Sequence, residues 1–269
     1  GTINAYSALL AERAGIKAIY LSGGGVANPS YGLPDLAMTS REDVLEDVRR
    51  IRSATELPLL VDIDTGWGSA LSISRTIKEM ISAGASGVHI EDQVSEKRCG
   101  HRPNKEIVSS EEMVDRIKAA KDSQTDDNFL LMARTDAFAK GGLQEVIDRS
   151  NAFIEAGAGA IFPEAISTLK DYEEISKNVS KPILANITEF GMTPLFSHDD
   201  LADAGVKIVL HPLSAFRAMS KAAEKVYATL ASGGDHEGLL DKMQTRDELY
   251  DVLDYHMYEE KIDKLFEKN

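Results

Sequence analysis

A single cysteine in 269 residues rules out an internal disulfide framework and any multi-cysteine zinc site, and it fits a reducing compartment. No apolar run approaches the ~20 residues that a membrane-spanning helix needs, so no membrane partner is expected. Basic residues are scarce: 30 Lys and Arg stand against 44 Asp and Glu, giving a formal net charge of -14 and no basic stripe. That field repels polyanions, so no nucleic-acid partner is expected, and a polyanionic substrate requires a compact local cluster of cations. The six histidines, at 89, 101, 198, 211, 236 and 256, lack HExxH-type spacing, which disfavours a hydrolytic zinc centre. Neither GxGxxG nor GxxxxGK[ST] occurs, which removes two nucleotide-binding loops. No Pro/Ser-rich linker or low-complexity block divides the chain. Gly1-Thr-Ile-Asn4 reads like the end of a strand, so an upstream N-terminus is expected. The default location is the cytoplasm, or the mitochondrial matrix if the source is eukaryotic.

What is present is an alternation of short apolar runs with longer amphipathic stretches. The runs cover residues 18–22, 59–64, 87–91, 130–134, 160–164, 183–186 and 208–212, and a truncated Thr2-Ile3 brings them to eight. Near-continuous apolar strands between helices suit a parallel sheet covered on both faces, and eight predict a single-domain (β/α)8 barrel, a TIM-type α/β fold, over 1–269. Ala14-Gly15, Ala83-Gly84, Ala156-Gly157 and Ala204-Gly205 each close a helical stretch before an even-numbered strand, as a left-handed C′ glycine does, and hint at a two-strand repeat. After Pro212 a helix is expected to about Ala231, then a break at Gly233-Gly234 and one amphipathic segment from about Met243 to Phe266. Its apolar positions, Leu249, Leu253, Tyr258, Ile262 and Leu265, suit packing on the parent barrel or on a neighbouring subunit.

In a parallel barrel the ligand site forms at the C-terminal ends of the strands. Here those ends are polar: Ser22, Asp62 and Asp64, Glu91, Arg134, Glu164, Asn186 and His211. Asp62 and Asp64, two apart, leave one face of a strand; crowded carboxylates call for a cation, and hard oxygen donors favour magnesium or manganese. Glu91 is the natural third carboxylate, directly or through water. The alternative is that the aspartates cap a helix near Gly68-Ser69. Ser22-Gly-Gly-Gly25 offers backbone N–H groups to an anion, or is a plain tight turn. Lys97-Arg98-Cys99-Gly100-His101-Arg102 sets the sole thiol among cations, which lower a thiol pKa and equip it as nucleophile or acid; a lone cysteine is otherwise an inert buried one. No strand ends in lysine, so a Schiff-base aldolase is disfavoured.

The segment around Cys99 resembles the Lys-(Lys/Arg)-Cys-Gly-His loop of cleaving members of the isocitrate lyase and phosphoenolpyruvate mutase superfamily. Ser22-Gly-Gly-Gly-Val-Ala27, Tyr31-Gly-Leu-Pro-Asp35, Val61-Asp-Ile-Asp-Thr-Gly66, Met132-Ala-Arg-Thr-Asp136, Phe162-Pro-Glu164, Leu184-Ala-Asn-Ile-Thr-Glu-Phe-Gly191 and residues 212–219 are similar to its 2-methylisocitrate lyase branch, as is Met243–Tyr250 in the tail. The resemblance implies magnesium at Asp62 and Asp64. It implies a catalytic set of Cys99, Glu91, Asp35, Lys97 and His101. It places a small tricarboxylate against Ser22, Gly23, Gly24, Cys99, Gly100, Arg134, Glu164, Asn186, Ile187, Thr188, Arg217 and Arg246. Phe162, Leu210 and Pro212 resemble the version of the pocket that leaves room for an extra methyl, whereas His211 stands where an aromatic such as Tyr is expected. The implied reaction is a magnesium-assisted retro-Claisen cleavage to pyruvate and succinate, the step of propionate catabolism known as the methylcitrate cycle, with Cys99 as general acid. Glu91, Asp35 or metal-bound hydroxide serves as base. A gate from Glu96 to about Asn104 and a homotetramer with exchanged C-terminal helices are implied as well. Alternatives are isocitrate cleavage, oxaloacetate decarboxylation, phosphonopyruvate chemistry, and a silent binding protein on the same fold.

Overall fold

The computed structural model describes residues 1–98, 100, 104–235 and 237–267. Seven strands are assigned among them, each on one of the expected apolar runs, β4 reaching one residue past its own: β1 (Ile19–Leu21), β2 (Leu59–Asp62), β3 (Gly87–Glu91), β4 (Leu130–Thr135), β5 (Ala160–Pro163), β6 (Leu184–Asn186) and β7 (Ile208–Leu210). β1 to β5 pair in sequence order, all parallel, and β6 pairs with β7 in the same sense. A bridge from Ile161 to Ile183 connects the two groups. Thr2-Ile3, expected as an eighth strand, is not one. It supplies single bonds instead of a ladder: the Gly1 amine donates to the His211 carbonyl at 2.7 Å and the Thr2 N–H to the Tyr20 carbonyl at 2.8 Å.

Helices separate the strands: α1 (Ala5–Arg13), α2 (Gly23–Tyr31), α3 (Arg41–Arg52), α4 (Ala70–Ser82), α5 (Ser110–Asp122), α6 (Phe138–Glu155), α7 (Leu169–Asn178), α8 (His198–Asp203) and α9 (Ser214–Ala231). Their starts are legible as caps. Asn4 with Ser7, and Ser40 with Asp43, form reciprocal capping boxes, while Ser109, Thr168 and Ser197 each accept an N–H from three residues on. Their ends match the alanine–glycine signal: Gly15, Gly84, Gly157 and Gly205 hold φ of 85°, 89°, 118° and 87°, directly before β1, β3, β5 and β7.

Strand periodicity sorts side chains onto two faces. Ile19, Leu21, Leu131, Ala133, Ile183 and Ala185 join the large core beneath the helices. Their neighbours Tyr20, Met132, Phe162, Leu184 and Leu210 form a second, smaller cluster on the opposite face, which floors the functional cavity.

The tail departs from expectation in one respect. The stretch from Met243 to Phe266 is two helices, α10 (Arg246–Val252) and α11 (Tyr255–Phe266), after a 3-10 turn at Glu237–Lys242. A Thr245/Glu248 capping box starts α10, and Asp254, at φ 51°, breaks the run. Neither α9 nor α11 buries a residue, and Tyr227, Leu230, Met257, Ile262, Leu265 and Phe266 lie exposed.

One turn ties fold to site. Beyond β2 the ladder continues, with the Ile63 N–H on the His89 carbonyl at 3.1 Å and the Glu91 N–H on the Asp64 carbonyl at 2.9 Å. The chain then reverses through positive φ at Asp64 (48°), Gly66 (90°), Trp67 (55°) and Gly68 (132°). A Cβ on Gly66 would stand 2.5 Å from Ile73 Cγ1, in the buried core. Gly66→Ala is therefore expected to cost about 2–4 kcal/mol, from overpacking and backbone strain together, as read by urea unfolding.

Candidate active site

The strand ends and following loops surround a cavity of about 430 Å³. Its lining includes Ser22, Gly24, Asp35, Asp62, Lys97, Gly100, Arg134, Glu164, Asn186, Thr188 and Arg217, together with Phe162 and Pro212 of the expected pocket wall. Leu210 stands behind Phe162 in the inner cluster. Gly23, Asp64 and Glu91 lie just beneath the lining, each in contact with a residue that reaches it. Cys99 and His101 lie outside the described residues.

Two of the expected contact residues stand off the cavity lining. Ile187 turns its side chain into the main core, and its N–H is taken by the Leu210 carbonyl at 2.8 Å, because the residue after β6 still belongs to the ladder. Arg246 stands exposed at the first position of α10, a helix that packs on α1, and does not line the cavity. The glycine run is also resolved: Gly23–Gly25 are the first turn of α2, so their amides are helix-terminal donors rather than a free turn.

Asp62 and Asp64 lie close together, a Cβ at Gly23 standing 3.2 Å from an oxygen of each. The Gly23 N–H donates to Asp62 Oδ2 at 3.0 Å, and the Asp64 N–H to Asp62 Oδ1 at 3.0 Å. Asp64 Oδ1 pairs with Lys97 Nζ at 2.7 Å, and the same ammonium reaches Asp35 Oδ1 at 2.6 Å. Neither aspartate caps α4, whose N-cap is Ser69. Burial pushes against ionisation of Asp62, yet His89, Lys97 and Arg134 hold its carboxyl well below the usual range. Burial raises Asp64 to about 6 against the pull of Lys97, with the Asp62 charge adding to the rise. Glu91 is also driven up, chiefly by burial and against the pull of Arg134, whose Nε lies 3.3 Å from its Oε2.

Arg134 is the fixed cation of the site. Asp136 grips it at Nε (3.0 Å) and Nη2 (3.2 Å), Glu164 Oε2 lies 3.2 Å from Nη2, and its Cζ sits 5.1 Å over the Phe162 ring. Asn186 Nδ2 donates to both Glu164 oxygens, at 3.4 and 3.3 Å. At the mouth, Arg217 lies half-exposed with its Cζ 5.7 Å from the centroid of the Phe190 ring, which is 94% exposed.

Two floor residues escaped the sequence reading. Tyr20 OH lies 2.8 Å from His89 Nε2 and 3.5 Å from Asp62 Oδ2; burial holds His89 down to about 4, hence neutral at pH 7. Both stand two residues before a singled-out strand end, Ser22 or Glu91, so strand periodicity contained the signal. Asp136, buried behind Arg134, was quoted only as part of a motif.

Removing the Asp136 carboxylate takes from buried Lys105 the carboxylate it pairs with and leaves Arg134 to Glu91 and Glu164. Asp136→Asn is expected to destabilise by about 3–5 kcal/mol in denaturant unfolding. Glu91→Gln replaces a carboxyl that burial already favours in its neutral form, so about 1 kcal/mol or less is expected in the metal-free protein.

Comparison with known proteins follows the same lines. The sequence model of the phosphoenolpyruvate phosphomutase family matches residues 2–231. The chain is 60% identical to a 2-methylisocitrate lyase of Vibrio cholerae over 272 residues, covering 99% of this chain and 88% of that one. It is 59% identical over 270 residues to the 2-methylisocitrate lyase of Escherichia coli, covering 100% and 91%. Among solved structures, a 2,3-dimethylmalate lyase superposes with a TM-score of 0.89 at 31% identity, covering 98% of this chain and 88% of that one. A phosphonopyruvate hydrolase bound to oxalate and Mg++ gives 0.86 at 29% identity, covering 99% and 93%.

Proposed function

Because the chain belongs to the phosphoenolpyruvate mutase and isocitrate lyase superfamily and sits among its 2-methylisocitrate lyases, we propose that this cavity cleaves 2-methylisocitrate to pyruvate and succinate. The observation that carries the reading is the convergence of Asp62, Asp64, Arg134 and Glu164 from the strand ends with Lys97 from the loop after β3, which sets two cations at the cavity of a chain whose net charge is -14.

The residues fit a divalent cation. Asp62, Asp64 and Glu91 offer hard oxygen donors, and Glu91 Oε1 is buried with no hydrogen-bond partner among the described residues. Asp62 and Asp64 would hold magnesium, or manganese, which would supply positive charge to stabilise the developing 2-oxo acid. The chain's own groups do the rest. Arg134, Asn186, Thr188 and Arg217 bind and orient carboxylates. Asp35 lines the cavity with its Oδ1 2.6 Å from Lys97 Nζ, a position from which it can take the C2 hydroxyl proton; Glu91 lies beneath the lining in an environment that favours its neutral form. As the carbon–carbon bond breaks, its electron pair passes to the succinate half, and Cys99, the sole thiol, gives that carbon its proton.

The finer architecture follows. The seven strands and the Gly1–Thr2 contacts to His211 and Tyr20 support a closed barrel, and the unburied faces of α9 and α11 support their exchange between subunits of a homotetramer. Among the described residues no helix is long and apolar enough to cross a membrane, and a cytoplasmic location is part of the proposal.

A coupled assay for the 2-oxo acid released, pyruvate from 2-methylisocitrate or glyoxylate from isocitrate, tests the function. Release from 2-methylisocitrate is expected only with magnesium or manganese, and kcat/KM should exceed that for isocitrate by about 10–200-fold, the worth of one methyl in an apolar pocket. No pyruvate from 2-methylisocitrate and no glyoxylate from isocitrate would favour a silent binding protein. Cys99→Ser should leave the thermal midpoint unchanged and lower kcat by about 10²–10⁴-fold; near-normal turnover would remove the thiol from the reaction.

A further inference from the structure

Lys105 was given no part in the site, yet it is buried, and a buried lysine persists only when its charge is paired. Its Nζ donates to Asp136 Oδ1 and, at 2.6 Å, to the Gly100 carbonyl. Asp136 is the carboxylate that fixes Arg134, and it is itself anchored: its N–H donates to Asp92 Oδ1 at 2.9 Å, while Asp92 Oδ2 accepts from Thr135 Oγ1 at 2.7 Å and Arg149 Nη1 at 3.2 Å. Gly100 closes the circuit. A Cβ built there would overlap both the Arg134 guanidinium and the Glu164 carboxylate, so its backbone lies directly on the groups that bind substrate. One ammonium thus joins the anchor of the substrate-binding arginine to the carbonyl of the residue that follows Cys99.

We propose that Lys105 is a positioning residue for the cleavage: by bridging Asp136 and the Gly100 carbonyl, it fixes the backbone next to Cys99 against Arg134 and Glu164. Its kinetic readout rests on the lyase reading above. Arg134 keeps its own bonds to Asp136 when Lys105 is removed, so substrate binding survives while the placement of the proton donor suffers. The loss therefore belongs in kcat, and a misplacement of about 1 Å accounts for about 100-fold.

The test compares Lys105→Met and Lys105→Arg in the full, magnesium-loaded chain. Lys105→Met should lower kcat about 100-fold with KM within about threefold, and Lys105→Arg, able to donate to both acceptors, should recover most of the loss. Iodoacetamide alkylation of the sole cysteine, Cys99, gives a readout that needs no substrate: its rate should change several-fold in Lys105→Met and return toward the parent value in Lys105→Arg. Unchanged kcat and alkylation in Lys105→Met would overturn the proposal. So would a loss of activity that tracks a fall in thermal midpoint and is not rescued by Lys105→Arg. If the parent protein releases no pyruvate from 2-methylisocitrate, the lyase reading fails, and the alkylation series alone decides on Lys105 by the same two outcomes.

Discussion

The constraint on which the structure turns is an excess of buried carboxylate over buried cation at one end of the parallel sheet. Asp62, Asp64, Glu91, Asp136 and Glu164, with the half-buried Asp35, face Lys97, Lys105 and Arg134. Burying charge is tolerated only where it is paired: Lys97 and Arg134 are each shared by two or more carboxylates, and Lys105 pairs with Asp136. The result is an electrostatic deficit at the point where a divalent cation is proposed. It also explains why a protein of net charge -14 can present Arg134 and Arg217 to an anion: both stand at the cavity, Arg134 held from behind by its own counterions.

The rest of the architecture serves that cluster. Short strands deliver their last residues to one rim, and their alternation sends Tyr20, Phe162 and Leu184 to the cavity floor while their neighbours pack under helices. The strained turn after Asp62 brings Asp64 beside Glu91, and the first turn of α2 lays a glycine amide on Asp62. A side chain at Gly23 would lie 3.2 Å from both aspartates, so glycine there is a matter of room.

Much of this was legible in the residues. The apolar runs located all seven strands, and polar strand ends located the cavity, because period and burial leave direct traces in composition. The alanine–glycine pairs marked four helix ends for an equally local reason, the left-handed backbone they adopt. What escaped depended on distant partners. Tyr20 and His89 carry a periodic signal but look like core residues until Asp62 is placed next to them. Lys105 lies fourteen positions beyond Glu91 in a loop, and nothing local announces that it meets Asp136. Ile187 lies inside a recognised motif, yet its side chain joins the core and its N–H extends the ladder to Leu210, which the motif alone does not reveal. Arg246 belongs to a tail whose packing partners are not fixed by pattern within one chain, and the amphipathic period there does not reveal the break at Asp254.

The central claim is that the Asp62–Asp64 pair is a divalent cation site whose charge Lys97 balances only in part. Anomalous scattering from crystals of the full chain soaked in manganese tests it most directly. A peak within coordination distance of the Asp62 or Asp64 carboxylate, with Glu91 close by and Lys97 drawn away from Asp64, is the expected result. A peak elsewhere, or none while Lys97 keeps its 2.7 Å contact to Asp64, would contradict the account.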